Sequence, residues 1–409
     1  MTRTITAQEV RRALLLRHEI ALFDLRHEAQ FATGHPLFAA NLAHDRIAPE
    51  AEARLPRKDV PIILYDDGEG LVAGAAADLA ALGYSDVGAL DGGLSGWRGA
   101  GYELFQDVNS YSKAFGELVE ARRHTPSLPA EDVAALIEEK ADIAILDARR
   151  FEEYATMNIP GSTSVPGAEL VLRAQQIAHD PDTLIIVNCA GRTRSIIGTQ
   201  SLINAGLPNK VVALRNGTIG WTLAGQDLQR GAERRAKIGS VGDAKARARA
   251  VAYKAGVRHI APADAALLAS DAARTLYRFD VRSAEEYAAG HIPGFRHYPG
   301  GQLVQETDMA APVRGARILL ADDIGPRADM TASWLSQMSW EVYVLDGGFD
   351  GAVETGAPAA IPPADPAHRY KRPYEGTDNA AEAMQAYLDW EFGLVDQLAR
   401  DATHGFFVV

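Results

Sequence analysis

The only cysteine in this 409-residue chain lies in the segment NCAGRTRS, which covers residues 188–195. Arg192 and Arg194 follow Cys189 within five positions, and no acidic residue stands among them. Thiols react as nucleophiles in the thiolate form, which neighbouring positive charge stabilises. The segment therefore predicts a nucleophilic cysteine in a cationic turn, and the alternative is a small, buried, inert cysteine.

The residues around Cys189 predict a strand, a turn and a helix in succession. The apolar run at 184–187 is typical of a buried strand, residues 189–194 form the turn, and a helix is expected over 195–204. Backbone N–H groups of such a turn converge into an anion-binding nest. The N-terminus of the following helix adds partial positive charge. Both features favour the thiolate.

The chain contains three copies of one unit. A first landmark recurs as FDLRHEAQFATGHP from Phe23, LDARRFEEYATMNIPG from Leu146 and FDVRSAEEYAAGHIPG from Phe279. A second landmark, a short apolar strand and turn, follows at the same offset of 42 residues in each copy, measured between Asp24 and Asp66, Asp147 and Cys189, and Asp280 and Asp322. A third landmark closes each copy as LDGGLSGW, LRNGTIGW or LDGGFDGA. Three equal offsets establish an internal repeat.

Each copy alternates short apolar strands with helical segments, which is typical of an α/β domain with a mainly parallel sheet. Ligands bind at the carboxyl ends of such strands, where Cys189 lies. We therefore predict three tandem α/β domains, each a mainly parallel sheet flanked by helices, plus a C-terminal helix. The expected divisions are repeat 1 (1–108), repeat 2 (109–232), a basic, solvated helical linker (233–256), repeat 3 (257–356), and a proline-rich spacer with a docking helix (357–409).

Repeats 1 and 3 carry aspartates at the position of Cys189. A core-filling position would not accept Asp66 and Asp322, so this position is predicted to be polar and exposed in all three repeats. Without a cysteine, repeats 1 and 3 are predicted to be non-catalytic. In repeat 3, Arg327 follows Asp322 as Arg194 follows Cys189, which predicts an ion pair within that loop. The Asp-x-Arg of the first landmark is predicted to form a structural ion pair in each repeat.

The Asp-x-Arg, the acidic-aromatic pair after it, GHIPG, the strand ending in C-x4-R, and NG-x-x-G-W together resemble the rhodanese sulfurtransferases, over about residues 5 to 355. More narrowly, VNCAGRTRSIIGTQSLINAG and ALRNGTIGW resemble bacterial multi-domain rhodanese-related sulfurtransferases in which only the second repeat carries the cysteine. The resemblance implies that Cys189 takes the outer sulfur of thiosulfate or a related anion as a persulfide and passes it to cyanide or a thiol.

The same resemblance implies which residues do this work. Cys189 and Arg194 are the expected catalytic residues. The expected substrate-binding residues are Ala190, Gly191, Arg192, Thr193, Ser195, Thr218 and Trp221. For Trp221, a place in the hydrophobic core is favoured over the pocket, because Trp97 occupies the same position in repeat 1, which has no cysteine.

Composition limits the partners and the compartment. A net charge of -13 argues against nucleic-acid binding. No apolar run is long enough to predict a membrane span, and the first residues do not resemble a signal peptide. The single cysteine fits a cytoplasmic protein and leaves no second thiol to discharge a persulfide, so the acceptor is expected to be external: cyanide, a small thiol or a partner protein. The 11 histidines show no metal-ligand spacing, and no metal or cofactor is expected.

Two other functions fit parts of the pattern. Cysteine-loop phosphatases and arsenate reductases also place a thiolate before an arginine, but their loop is C-x5-R, whereas four residues separate Cys189 from Arg194. A persulfide carrier or an interaction scaffold would need no turnover. The sequence favours a sulfurtransferase over both.

Overall fold

Repeat 1 is built on a parallel sheet whose strands alternate with helices. The computed structural model describes residues 3–237, 239 and 241–409. The elements of repeat 1 are β1 (Arg3–Ile5), α1 (Ala7–Leu15), β2 (Ile20–Asp24), α2 (Glu28–Phe31), β3 (Ala40–Asn41), α3 (Ile47–Arg54), β4 (Ile62–Tyr65), α4 (Val72–Ala81), β5 (Val87–Leu90) and α5 (Gly93–Gly99).

A long helix leads into repeat 2, which follows the same order of elements. They are α6 (Ser110–Arg123), β6 (Ser127–Leu128), α7 (Ala130–Glu138), β7 (Ile143–Asp147), α8 (Phe151–Thr156), β8 (Thr163–Ser164), α9 (Leu170–Ile177), β9 (Leu184–Asn188), α10 (Thr193–Asn204), β10 (Val211–Leu214) and α11 (Gly217–Leu223).

Repeat 3 has the same core elements but no helix after its last strand. The remaining elements are α12 (Ala244–Lys254), β11 (Arg258–Ile260), α13 (Pro262–Ser270), β12 (Leu276–Asp280), α14 (Ala284–Ala289), β13 (Arg296–His297), α15 (Gly300–Gln305), α16 (Thr307–Ala310), β14 (Val313–Arg314), β15 (Arg317–Ala321), α17 (Pro326–Gln337), β16 (Glu341–Leu345), α18 (Ala380–Phe392) and α19 (Leu394–Asp401).

All three sheets share one strand order. In repeat 2 the order is β6-β10-β9-β7-β8, and every neighbouring pair is parallel. β9 is therefore central, and its carboxyl end lies beside the loops that follow β7 and β10. Repeat 1 has one addition, because β14 from repeat 3 joins β2 in an antiparallel pair. The predicted architecture of three mainly parallel α/β domains is confirmed.

A buried ion pair marks the end of the second strand in each repeat. In repeat 2, Arg149 Nη2 lies 2.7 Å from Asp147 Oδ2, and both side chains are nearly inaccessible. The same arginine donates to the carbonyl of Met157, which ties the strand end to the turn that follows. The equivalent pairs are Arg26–Asp24 at 2.6 Å and Arg282–Asp280 at 2.7 Å. The predicted structural role of the Asp-x-Arg is confirmed.

The helix of the basic linker is solvated on one face only. Ala244, Ala248, Val251 and Ala252 are buried on one face of α12, which packs against α17 and α9. The expected solvated connector helix is thus present, but its other face is buried, because the small alanine side chains there let neighbouring helices approach closely. Within the described ranges, no helix combines the length and the apolar character needed to cross a bilayer.

The C-terminal region forms two helices, α18 and α19, that meet at Gly393. Tyr387 of α18 packs against Ile219 of repeat 2. Leu394 and Leu398 of α19 join the core shared by repeats 1 and 3. The predicted docking of this apolar stripe is confirmed, and the break at Gly393 lets its two halves face different domains.

Candidate active site

Cys189 lies at the carboxyl end of β9, where the chain turns into α10. The turn after β10 supports it, because Thr218 N–H donates to the Cys189 carbonyl at 2.9 Å and Ile219 N–H donates to the Ala190 carbonyl at 3.0 Å. Gly217, with a φ of 55°, makes this contact possible, since a β-carbon there would lie 2.3 Å from the Cys189 oxygen. The glycine of the third landmark therefore fixes the base of the loop.

The aspartates of repeats 1 and 3 show how the backbone N–H groups of this loop are used. In repeat 1, the Asp66 carboxylate accepts hydrogen bonds from Gly68 N–H at 3.1 Å and from Leu71 N–H at 2.6 Å. These donors stand two and five positions after the aspartate. In repeat 3, the Asp322 carboxylate accepts from the N–H groups at the same two positions, Ile324 at 3.4 Å and Arg327 at 2.9 Å. Two copies of the loop thus hold an anionic group on equivalent backbone amides.

In repeat 2, Cys189 stands where the other repeats have the carboxylate, and the donor positions belong to Gly191 and Arg194. Sγ lies 3.5 Å from Ser195 Oγ, which in turn donates to the Arg192 carbonyl at 2.8 Å. The sulfur is therefore at the N-terminal end of α10, in a backbone setting that accommodates an anion in the two sister loops.

The predicted exposure of this position is wrong. Cys189 is 2% exposed, Asp66 8% and Asp322 6%. Backbone N–H groups replace water around the two carboxylates, so these aspartates tolerate burial. Cys189 lines a small, partly open cavity of about 30 Å³, which has room for one or two water molecules.

The guanidinium of Arg192 is engaged by neighbouring side chains. Nε and Nη2 each donate to the Glu117 carboxylate at 2.8 Å, and Nη2 also donates to Glu120. Nη1 donates to Asn216 at 3.1 Å, and the ring of Phe392 lies 4.1 Å from the guanidinium carbon. Burial raises the pKa of Glu117, although Arg192 acts in the opposite direction. These contacts fasten the loop to α6.

Arg194 forms a bidentate pair with Glu153, with N–O distances of 2.7 and 2.9 Å. Burial alone would raise the pKa of Glu153, but the charge of Arg194 overrides it and lowers this pKa to about 2. Repeat 3 has the same pair between Arg327 and Glu286 at 2.6 Å. Repeat 1, whose loop has no arginine, has Gln30 at this position. Sequence reasoning missed Glu153, although this comparison between repeats was a readable signal.

The other wall of the cavity comes from outside the Cys189 loop. α6 and the residue before it, α15 of repeat 3, and the C-terminal region all reach it. Their lining residues are Asn109, Ser112, Lys113, Gln305, Arg372, Tyr387 and Glu391. Sequence reasoning missed all of them, because no motif marks them and the fold alone brings them to Cys189. Repeat 3 thus borders the site through Gln305.

The structure separates the predicted site residues into three groups. The cavity is lined by Cys189, Ala190, Gly191, Arg192, Thr193 and Arg194. Ser195 contacts the sulfur, and Thr218 supports the loop by donating from Oγ1 to the Ala190 carbonyl at 3.1 Å. Trp221 belongs to the core of repeat 2, where its indole N–H donates to the Asp227 carbonyl at 2.9 Å. Trp221 thus lies in the core, as favoured, and does not line the cavity that was the other possibility.

Two ionisable groups on the far wall are buried beside the loop. Lys113 Nζ lies 2.9 Å from Asp107, and burial lowers the pKa of Lys113. Glu391 is 2% exposed, and its Oε2 has no hydrogen-bond partner among the described residues. A β-carbon on Gly191 would lie 3.5 Å from this oxygen. Burial raises the pKa of Glu391 to about 7, with Lys113 lowering it and Glu117 raising it.

One cluster of metal-ligating side chains lies elsewhere. Ligand atoms of His27, Asp45 and His368 all fall within 4.8 Å of one another. The rings of His27 and His368 stack at 3.7 Å, a contact that accounts for their proximity without a metal ion. The spacing of the histidines did not suggest this cluster, because His368 reaches it from the spacer. None of the three lines the Cys189 cavity.

Known proteins match both the single repeats and the whole chain. The family model for the rhodanese-like domain matches residues 6–100, 129–224 and 263–355. The crystal structure of a thiosulfate sulfurtransferase from Pseudomonas aeruginosa covers 100% of both chains, with a TM-score of 0.95 and 49% sequence identity.

Two curated relatives each align with 94 residues, or 23% of this chain. The thiosulfate sulfurtransferase GlpE of Pseudomonas paraeruginosa is 32% identical, and the alignment covers 81% of it. The HTH-type transcriptional regulator Rv0324 of Mycobacterium tuberculosis is 31% identical, and this chain spans only 41% of its length.

Proposed function

Because the chain belongs to the rhodanese-like domain family, we propose that this rhodanese-type enzyme transfers sulfur from thiosulfate or a related anionic donor through Cys189. One observation carries the proposal. The loop that holds a carboxylate on its backbone amides in repeats 1 and 3 has a sulfur nucleophile in that place in repeat 2. The likeness to two thiosulfate sulfurtransferases supports the choice of donor.

The reaction has two balanced halves. The Cys189 thiolate attacks the outer sulfur of thiosulfate and forms a new S–S bond. The original S–S bond breaks, and its electron pair leaves with sulfite. Cyanide or a thiolate then attacks the outer sulfur of the Cys189 persulfide, which yields thiocyanate or a new persulfide and restores the Cys189 thiolate. Covalent catalysis of this kind divides one difficult transfer into two easier ones.

The loop residues divide the remaining work. The N–H groups of Gly191 and Arg194 stabilise the negative charge on the bound sulfur, as their counterparts stabilise aspartate. Glu153 holds the Arg194 side chain beside the sulfur. Arg192 keeps the loop on α6 through Glu117. With no second cysteine in the chain, the acceptor is an external molecule.

The test is thiosulfate:cyanide sulfur transfer by Cys189→Ser and by a matched control, Asp66→Asn. The first variant should lose transfer by roughly a thousandfold or more, because the nucleophile is absent. The second should stay near wild type, because repeat 1 takes no part in the chemistry. Mass spectrometry of the wild type after thiosulfate treatment should show an adduct of about 32 Da on Cys189.

Each other outcome has a definite meaning. Transfer that survives in Cys189→Ser would overturn the proposal. An adduct that neither cyanide nor a small thiol discharges would indicate a persulfide carrier instead of an enzyme. Hydrolysis of a chromogenic phosphate ester without sulfur transfer would indicate a phosphatase.

A further inference from the structure

The loop of repeat 2 has little positive charge left for an anionic donor. Arg192 is matched by Glu117 and Glu120, and Arg194 is matched by Glu153. All three carboxylates lie within hydrogen-bonding distance of the guanidinium groups, so the charges of the loop arginines are largely neutralised. Recognition of an anion at this site calls for a further cation.

Arg372, in the proline-rich spacer, is the lining cation without a matching acid. It is half-buried at the Cys189 cavity, and the part of the chain that the structure describes places no carboxylate within 4 Å of its guanidinium. Lys113, the other cation from outside the loop, lies 2.9 Å from Asp107. Burial and the charge of nearby Arg372 act to lower the pKa of Arg194, but Glu153 outweighs them and the net shift is upward. Asp107 and Tyr374 act on Arg372, but no carboxylate among the described residues contacts its guanidinium, which lines the Cys189 cavity without a direct ion pair.

Contacts on both sides hold Arg372 at the cavity. Before it, Tyr370 N–H donates to the Glu28 carboxylate of repeat 1 at 2.7 Å. After it, the ring of Tyr374 packs edge-on against Tyr387 of α18, with ring centres 5.9 Å apart. The spacer is thus fastened to repeat 1 and to α18 on either side of the arginine, and the guanidinium is positioned by the fold.

We propose that Arg372 binds the anionic end of the sulfur donor, so that the C-terminal region supplies a specificity determinant to the site in repeat 2. The inference rests on the proposed function, in which the donor presents its outer sulfur to Cys189 and an oxyanion group to the opposite wall. A planar guanidinium donates two parallel hydrogen bonds to such a group. The ligand class is an oxyanion that carries a transferable sulfur, such as thiosulfate.

The first experiment measures the donor KM of Arg372→Gln with thiosulfate and cyanide. Loss of a charge-assisted hydrogen bond should raise this KM roughly 10- to 100-fold, with a smaller change in kcat. Arg372→Lys should recover part of the affinity. Arg369→Gln is the matched control, because Arg369 lies in the same spacer and pairs with Glu375 at the surface. It should leave the donor KM within about twofold of wild type. An unchanged KM in Arg372→Gln would overturn the proposal.

The second experiment does not depend on turnover. Alkylation of Cys189 by iodoacetamide, an uncharged reagent, is followed with and without sulfate as the anionic probe. Sulfate should slow alkylation of the wild type and have much less effect on Arg372→Gln. If the wild type transfers no sulfur, the proposed function fails, and this assay still decides whether Arg372 binds an anion. Equal protection of both proteins, with matching melting temperatures, would overturn the proposal.

Discussion

The loops of repeats 2 and 3 differ in what surrounds their arginine. In repeat 2, Arg194 pairs with a single acid, Glu153. In repeat 3, the equivalent Arg327 is fully buried and lies within 4 Å of four carboxylates, those of Asp322, Asp323, Glu286 and Glu169. Burial opposes protonation of Arg327, but these carboxylates raise its pKa above the ordinary value.

One residue accounts for most of this difference. The Asp322 carboxylate accepts hydrogen bonds from the loop amides and also neutralises Arg327. The N–H donors and the positive charge of the repeat 3 loop therefore find their partner within the loop. Cys189 brings no carboxylate, which leaves the equivalent amides to interact with a bound anion, while Arg194 stays paired with Glu153. The same backbone therefore makes a structural loop with aspartate and a reactive loop with cysteine, and repeats 1 and 3 serve as internal references for repeat 2.

Cys189→Asp should convert the loop of repeat 2 into the type found in repeats 1 and 3. Sulfur transfer from thiosulfate should fall by roughly a thousandfold or more, because no nucleophile remains. The new carboxylate should accept hydrogen bonds from Gly191 and Arg194 N–H, so the protein should stay folded. A transfer assay and a thermal melt check the two expectations, and the melting temperature should stay close to that of the wild type.

Cys189→Ser is the control for this conversion. It also lacks the nucleophile, but its hydroxyl does not fill the loop with negative charge. Calorimetry should detect thiosulfate binding to Cys189→Ser and not to Cys189→Asp. The three loops would not be equivalent if Cys189→Asp unfolds, or if it binds thiosulfate as tightly as the serine variant.

Asp322→Ala should destabilise repeat 3 and leave the chemistry intact. The change removes one of the carboxylates around buried Arg327 and leaves loop N–H groups unpaired. Losing this charged hydrogen-bond partner, while Glu286, Asp323 and Glu169 still face Arg327, costs about 2–3 kcal/mol. Calorimetry should show a melting temperature lower by several degrees, while the kcat/KM of sulfur transfer changes by less than about twofold.

Asp66→Ala separates the contribution of the arginine from that of the amides. Asp66 accepts from backbone N–H groups in a loop without arginine. Its removal should therefore cost only about 1–2 kcal/mol. A larger destabilisation by Asp66→Ala than by Asp322→Ala would show that the ion pair with Arg327 is not what stabilises the loop of repeat 3.

The features that depend on contacts within one repeat were predictable. The equal offsets were enough to predict three parallel sheets and the buried pairs of the Asp-x-Arg landmark. The strand and helix around Cys189 end within two residues of the expected bounds, as Leu184–Asn188 and Thr193–Asn204. Glu153 belongs to this class as well, since Glu286 accompanies Arg327 and Gln30 accompanies a loop without arginine.

The burial of Cys189 was not predictable from such contacts. The residues of the cavity wall opposite the loop lie at least 76 positions away from Cys189 in sequence, with Lys113 the nearest and Glu391 the most distant. The aspartates of repeats 1 and 3 suggested exposure, because residue types do not reveal the backbone N–H groups that replace water. The positions of Arg372 and Glu391 follow from the docking of the C-terminal region, which no repeat contains.

Glu391 brings to the loop of repeat 2 a carboxyl group whose negative charge depends on pH, whereas repeats 1 and 3 carry an aspartate within the loop. It is buried beside Gly191, and the charged groups that act on it are Lys113 and Glu117 of α6, Arg192 of the loop, and Asp107. Burial, the largest of these influences, raises the pKa of Glu391 to about 7. The carboxyl is therefore neutral below this pH and negative above it, so a rising pH brings negative charge to the cavity.

Glu391→Gln should remove a pH dependence from the loading of Cys189 by thiosulfate. From about pH 6 to about pH 8, the loading rate of the wild type relative to Glu391→Gln should fall roughly tenfold, the size expected when a unit charge repels an anion several Å away. Taking the ratio removes the pH effects that do not involve Glu391. Asp389→Asn, exposed on the same helix, should keep a constant ratio to the wild type. Parallel profiles for the wild type and Glu391→Gln would mean that repeat 2 has no acid in place of the aspartates of repeats 1 and 3, and that its loop stays open to anions at every pH.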